Sequence, residues 1–160
     1  MNKAYLLIGG NLGNRNENLE NAKKWIAIHC GSIAKASSIY ETEAWGKTDQ
    51  PTFLNQALEV HTTLNARQLI RRILKIEKLM GRIRDQKYDP RIIDIDILLF
   101  NDEKYNTDFL KIPHPEMQNR RFVLVPLAEI APLLLHPLLK KDITELLKEC
   151  PDHLEVKKYS

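Results

Sequence analysis

Apolar and polar positions along this 160-residue chain change period several times, and each change marks an element. Ala4 to Ile8 reads as a short buried strand, and Gly9-Gly-Asn-Leu-Gly-Asn14 follows as a turn, with Gly9 and Gly13 offering positive φ. From Glu17 to Cys30, the residues Leu19, Ala22, Ile26 and Cys30 recur at three- and four-residue spacing opposite Glu20, Lys23 and Lys24. That spacing predicts a core-packing helix, stopped by Gly31. His29 reads as a helix-terminal side chain, with no metal partner at useful spacing. Ile33 to Thr42 has strand character, Glu43 to Pro51 is a loop rich in turn residues, and Phe53 to Thr63 alternates as a further strand. Asn65 followed by Gln68 is a capping-box pattern stapled by Leu64. It opens a helix whose Leu69, Ile73, Ile76 and Met80 face inward and which Gly81 ends.

The next strand is expected to begin near Ile92, because Pro90 biases Asp89 to extended backbone and the residues to Phe100 are largely β-branched or apolar. Strict alternation puts Ile93, Ile95, Ile97 and Leu99 on one face, and Ile92, Asp94, Asp96, Leu98 and Phe100 on the other. Asn101-Asp-Glu-Lys104 is a polar turn. Arg120 to Ala131 reads as a helix that Pro126 kinks or breaks, and Ile143 to Cys150 as a short amphipathic stretch before a polar end expected to fray. The order strand, helix, strand, strand, helix, strand predicts a β-α-β-β-α-β arrangement. This is an α+β sandwich with an antiparallel sheet, helices on one face and extra C-terminal elements.

Composition narrows this picture without redirecting it. With 43% hydrophobic and 28% charged residues and no repeat, the chain fits one domain over residues 1–160. No apolar run approaches a membrane span, and Cys30 and Cys150 lack metal-ligand spacing, so a cytoplasmic protein with reduced thiols and no membrane partner is expected. A net charge of +3 is too mild to announce a nucleic-acid partner.

The candidate chemistry lies in the stretch from Met80 to Phe100. Asp94 and Asp96 share a strand face with Cα atoms roughly 6.6 Å apart, a spacing at which two carboxylates converge on one hard cation or clamp two. Solvated acids, or acids guarding a sheet edge, are the plain alternative. Arg82, Arg84 and Arg91 gather nearby, and the arginine fork suits phosphate oxygens. Acids for a metal beside arginines for an anion describe a metal–polyphosphate site. The glycines near the N-terminus fit neither a P-loop, which needs Lys-Ser/Thr after them, nor G-x-G-x-x-G, because Ile8 occupies the first glycine's place. Phe53 and Asn55 share a face and offer a stacking surface and an amide edge to a flat heterocycle, although a core Phe and a turn Asn read as well. Glu77, unfavourable near a helix C-terminus, is either solvated or used. His114, stiffened between Pro113 and Pro115, is placed to donate to phosphate.

Gly81-Arg-x-Arg, then Pro90-Arg91-x-x-Asp94-x-Asp96-Ile-Leu98, resembles the signature of the 6-hydroxymethyl-7,8-dihydropterin pyrophosphokinases of folate biosynthesis. The resemblance extends to Ala4–Gly13, Ser38 to Gly46, Phe53 to Asn55, Ile112 to Met117 and Asn119 to Phe122. It implies a ferredoxin-like α+β fold and transfer of pyrophosphate from ATP to the pterin alcohol, with AMP as leaving group. It further implies two magnesium ions on Asp94 and Asp96, and Arg82 and Arg91 acting on the transferred group. Nucleotide contacts would come from Glu77, Arg84, Arg91, Ile97, His114 and Arg120. The pterin pocket would use Thr42, Ala44, Trp45, Phe53, Asn55, Asp94 and Phe122, with the Gly9–Asn14 turn as one wall. The expected partners are ATP and the pterin, with the protein a monomer. Asp89 departs from the family pattern, which has a small residue before Pro-Arg. A magnesium-dependent nuclease or nucleotidyltransferase would share the acids and arginines but release different products. An RNA-binding module would want exposed aromatics on central strands and a more basic face than this sequence has.

Overall fold

The strand Asn2–Gly10 (β1) is apolar on both faces, and every residue from Ala4 to Gly10 is buried, so β1 can only sit inside a sheet covered on both sides. The structure, a computed structural model describing residues 1–43, 50–81 and 92–159, places it there. After β1 come α1 (Arg15–His29), β2 (Ser32–Ala36), β3 (Tyr40–Thr42), β4 (Phe53–Thr62), α2 (Ala66–Leu79) and β5 (Asp94–Phe100). A small hairpin, β6 (Tyr105–Asn106) with β7 (Lys111–Ile112), leads to α3 (Arg121–Ile130), α4 (Ile143–Glu149) and a last strand, β8 (Lys157–Lys158). The main sheet runs β5-β1-β4-β3-β8, with β2 beside the other half of β4. All its pairings are antiparallel, the ferredoxin-like order with an added edge strand.

The two helices predicted from periodicity form where expected. Asn14 caps α1 by accepting from the Glu17 amide, and Asn65 and Gln68 complete a reciprocal capping box on α2. Their apolar stripes, Leu19, Ala22 and Ile26 on α1 and Leu69, Ile73 and Ile76 on α2, pack against Leu6, Ile8, Leu54, Leu58 and Ile95. Helices cover both faces, however, and not one as the element order suggested. Phe122, Val123, Leu124 and Leu127 of α3 and Ile143 and Leu146 of α4 pack against Tyr5, Leu7, Ala57, Leu98 and Leu99 on the opposite side. Pro126 lies within α3 and does not break it, although it removes one backbone donor.

Other departures have local causes. The stretch expected as one strand from Ile33 divides into β2 and β3. At the break the Ser37 hydroxyl oxygen accepts the Ala57 amide and the Ser37 carbonyl accepts from Gln56 Nε2. Strand β5 starts at Asp94, two residues later than expected. Simple alternation fails at its far end: Tyr5 pairs with Leu99 but Leu6 with Ile97, so Leu98 is an extra, bulged residue. The bulge sends Leu98 and Leu99 to the same side and turns Phe100 into the other core, away from the aspartates. Gly31 ends α1 without a left-handed φ; a Cβ there would meet the His61 carbonyl oxygen at 2.2 Å, so close approach to β4 explains it. The polar C-terminus does not fray, because β8 pairs with β3. Cys30 and Cys150 are free thiols, and burial pushes Cys30 up to about 11.

Opposite the loop end of the sheet, Glu59 is buried between Tyr5, whose hydroxyl donates to it at 2.9 Å, and His61 Nε2, also at 2.9 Å. Burial works to raise the Glu59 pKa, but bonds from His61 and Tyr5, together with Lys3 and Lys35, outweigh it and hold the carboxyl below its ordinary 4.5. A depressed folded pKa means that the unfolded chain binds more protons in acid. The stability Glu59 contributes is therefore complete above pH 4.5 and is lost as pH falls through the folded value. Glu59→Gln, which keeps the shape, is expected to cost about 1–2 kcal/mol at neutral pH. Thermal melts at a series of pH values should show that deficit shrinking below pH 4.5; a deficit constant with pH would rule the ionic contribution out.

Candidate active site

One register row crosses the open end of the sheet. Gly9 of β1 pairs with Asn55 of β4 on one side and with Asp94 of β5 on the other, and Asn55 pairs in turn with Tyr40 of β3. Directly paired residues of antiparallel neighbours point to the same face, so Tyr40, Asn55 and Asp94 stand side by side on the face that α3 covers. Asp96, paired with Leu7, lies one step further in, and Thr42 with Phe53 one step further out. At about 4.8 Å between strands, Asn55 and Asp94 are separated by roughly 10 Å across β1.

Gly9, between them, has no room for a side chain of its own. A Cβ on Gly9 would fall 2.1 Å from Asn55 Oδ1 and 2.9 Å from the Leu54 carbonyl oxygen. The Asn55 amide therefore lies over the glycine's Cα, buried to 5% exposure, in a floor no side chain can share. The expectation that Gly9 serves a turn is thus corrected: it is a strand residue chosen for close approach, while Gly13, with φ of 68°, is the turn glycine. The turn is tied to the segment before β4, since Asn11, itself buried, donates through Nδ2 to Gln50 Oε1 and the Pro51 carbonyl.

Two networks fix the strands behind Thr42 and Phe53. Arg15 Nη1 donates to Glu41 Oε2 at 3.1 Å and to the carbonyl and hydroxyl oxygens of Thr52, and the Thr52 hydroxyl donates to the same Glu41 oxygen. The Thr52 and Arg15 bonds hold the Glu41 pKa below the ordinary carboxylate value. Tyr40 donates to Glu129 Oε1 at 2.5 Å, while the Ser38 amide and hydroxyl donate to Oε2, which ties β3 to α3. Burial and that carboxylate push Tyr40 up to about 12, so it stays a protonated donor.

On the β5 side, Glu77 is buried, not solvated, and accepts the Ile95 amide at 2.7 Å along the outer edge of the strand. Alternation up to the bulge turns the Ile97 amide to the same edge, while the Ile97 side chain lies in the core opposite the aspartates. The His114 amide donates to the Leu98 carbonyl, which anchors the histidine beside the bulge. Its Nδ1 accepts the Glu116 amide at 3.1 Å, so the ring proton of the neutral form sits on Nε2. Arg120 precedes α3 in extended backbone, with its guanidinium carbon 5.9 Å from the Phe122 ring centroid.

Of the residues singled out from sequence, Asp94, Asp96, Asn55, Phe53 and Thr42 come together on one end of one face, with Phe122 packed on that same side. Arg82, Arg84 and Arg91, and Ala44 and Trp45, lie outside the described residues. Arg15, Glu41 and Thr52 were not singled out as parts of a pocket, and the family resemblance placed Gly9 and Asn11 only in a turn walling it. A strand glycine pairing an amide with an acid leaves no trace in periodicity, and the Arg15 node joins residues 26 and 37 positions apart. Among the described residues no group of three or more His, Cys, Asp or Glu is placed to hold a metal. Asp94 and Asp96 share a face as two carboxylates, a donor type that magnesium accepts when phosphate oxygens and water complete its shell.

Residues 5–132 match the family model described as 7,8-dihydro-6-hydroxymethylpterin-pyrophosphokinase (HPPK). The chain is 45% identical over 130 residues to the 2-amino-4-hydroxy-6-hydroxymethyldihydropteridine pyrophosphokinase of Bacillus subtilis, covering 81% of this chain and 78% of that one. To the Aquifex aeolicus protein of the same name it is 40% identical over 149 residues, or 93% and 92% of the two chains. A crystal structure of Plasmodium falciparum HPPK-DHPS shares the fold, with a TM-score of 0.76 at 22% identity. That match covers 93% of this chain but only 43% of the other. By the span of the match and the identity to both bacterial relatives, the chain belongs to the 7,8-dihydro-6-hydroxymethylpterin-pyrophosphokinase family.

Proposed function

We propose that this enzyme transfers the pyrophosphoryl group of ATP to the hydroxymethyl oxygen of 6-hydroxymethyl-7,8-dihydropterin and releases AMP. The observation that carries the reading is the row Asn55–Gly9–Asp94, in which an amide for a heterocycle edge and an acid for a cation flank one bare backbone position. The pterin ring lies over Gly9 with its polar edge on Asn55 and its flat faces toward Phe53 and Phe122. Thr42 borders the pocket, and Ala44 and Trp45 belong to it on the strength of the family resemblance. Its hydroxymethyl arm then reaches toward Asp94, one strand away.

Asp94 and Asp96 would hold two magnesium ions, whose chemistry there is to neutralise phosphate charge and orient the polyphosphate for in-line attack. His114 donates from Nε2 to a phosphate oxygen, and Arg120 supplies a cation on the same side. Arg82, Arg84 and Arg91 complete the grip, with Arg82 and Arg91 acting on the charge that develops at the transferred group. The nucleotide base lies along the β5 edge, where Ile97 presents its backbone and Glu77 fixes the neighbouring rung. No strong protein base is required, because transfer of this kind depends on positioning and on charge neutralisation. Two buried free thiols suit a reducing compartment, which supports a cytoplasmic location. The enzyme is proposed to act as a monomer.

Incubation with ATP, magnesium and 6-hydroxymethyl-7,8-dihydropterin should yield AMP only when the pterin is present; pyrophosphate in place of AMP would mark nucleotidyl transfer and sink the reading. Asp94→Ala is expected to lower kcat by about a thousandfold, the scale on which losing a charge-neutralising group acts, with the melting temperature little changed. Near-normal turnover would remove Asp94 from the site. Gly9→Ala forces the Asn55 amide aside. Titration with the pterin alone should show affinity reduced by about tenfold or more, at a stability cost of about 1–3 kcal/mol from the Leu54 carbonyl contact. Unaltered pterin affinity would place the ring elsewhere.

A further inference from the structure

Beyond residue 132, where the family match ends, the chain returns twice to the site's walls. Asp152, only 8% exposed, accepts the Arg121 amide through Oδ2 and the Leu154 amide through Oδ1, both at 2.9 Å. The Arg121 amide is an orphan donor at the start of α3, where Arg120 provides no side-chain cap, so Asp152 supplies that cap from 31 residues away. The next residue on the helix is Phe122. Five residues after Asp152, β8 adds to the open edge of β3, with Lys157 opposite Glu41 and Lys158 opposite Tyr40. The Tyr159 amide donates to the Ile39 carbonyl at 2.8 Å, and its ring lies 5.6 Å from the guanidinium carbon of Arg15. Arg15 is the centre of the node that fixes Glu41 and Thr52, the neighbours of Thr42 and Phe53.

We propose that residues 152–159 are a positioning strap for the pterin side of the site, a reading that rests on the pyrophosphokinase assignment. Asp152 sets the start of α3 and with it Phe122, while β8 and Tyr159 set β3 and the Arg15 node and with them Thr42 and Phe53. The two anchors share one short length of chain, so the pocket's aromatic walls are held relative to each other by a segment touching neither substrate. Its chemistry favours a positioning role over a core one. From Glu155 to Tyr159 every residue is exposed except the half-buried Val156, so removing Val156 and the residues after it uncovers little apolar surface.

The test is steady-state AMP formation with each substrate varied in turn, for the wild type, Asp152→Ala, Asp152→Asn and a chain ending at Glu155. Asp152→Ala and the shortened chain are expected to raise KM for the pterin about tenfold, the scale of one lost charge-assisted hydrogen bond, and to leave KM for ATP within about twofold. Asp152→Asn, which keeps one acceptor for the Arg121 amide while turning a donor toward the Leu154 amide, should restore part of the pterin KM. Tyr159→Ala reads the β8 anchor should the shortened chain fail to fold. An unmoved pterin KM overturns the strap, as does a rise in both KM values in step with lost thermal stability. If the wild type forms no pterin-dependent AMP, the pyrophosphokinase reading fails and the strap with it; wild-type AMP with unmoved variants overturns the strap alone.

Discussion

A close approach between a strand backbone and an amide sets the geometry of this protein. Because Asn55 lies over Gly9, β1 and β4 must be in register at that point, and the register of β1 in turn puts Asp94 at the same level on the far side. A slip of one residue would turn every side chain of a strand to the other face, sending the amide and the acids into the helix-packed core. Burial of Leu6, Ile8, Leu54 and Leu58 against α1 and α2 enforces the same register from beneath, so stability and site geometry are specified by one alignment.

The two faces of the sheet divide the labour. The α1–α2 side is an apolar layer with well-capped helices and carries none of the proposed substrate contacts through side chains. The α3–α4 side combines core packing at one end with the site at the other, and its helix α3 is joined to the strands by hydrogen bonds from Tyr40 and Ser38 to Glu129. The bulge at Leu98 marks the boundary on β5. It lets the strand carry acids at its start and two core leucines on the same side further along, and its carbonyl receives the amide of His114.

Much of this was legible in the sequence where a local rule operates. The stripes of both long helices, the Asn65–Gln68 box, the sharing of a face by Phe53 and Asn55 and by Asp94 and Asp96, and the α+β order all follow from periods of 3.6 and 2. What escaped depends on residues far apart in the chain. The bulge that turns Phe100, the cap that Asp152 lends to Arg121, the Arg15 node and the reason for Gly9 each require knowing which strand lies beside which. The expected fraying of the tail failed for the same reason: a polar segment was weighed without the open β3 edge it pairs with. Glu77 shows the limit from another side, since its poor fit to the helix dipole was legible but its buried partner, the Ile95 amide, was not.

That last contact also bears on how the molecule avoids its own kind. Among the described residues β5 is an end strand of the sheet, and an unsheltered rim of amide donors there would be a template on which a second chain could lay down a strand. By placing a carboxylate on the Ile95 rung, α2 takes up the first of those donors. Protection against lateral addition and the proposed nucleotide contact at Ile97 then fall along a single line of backbone.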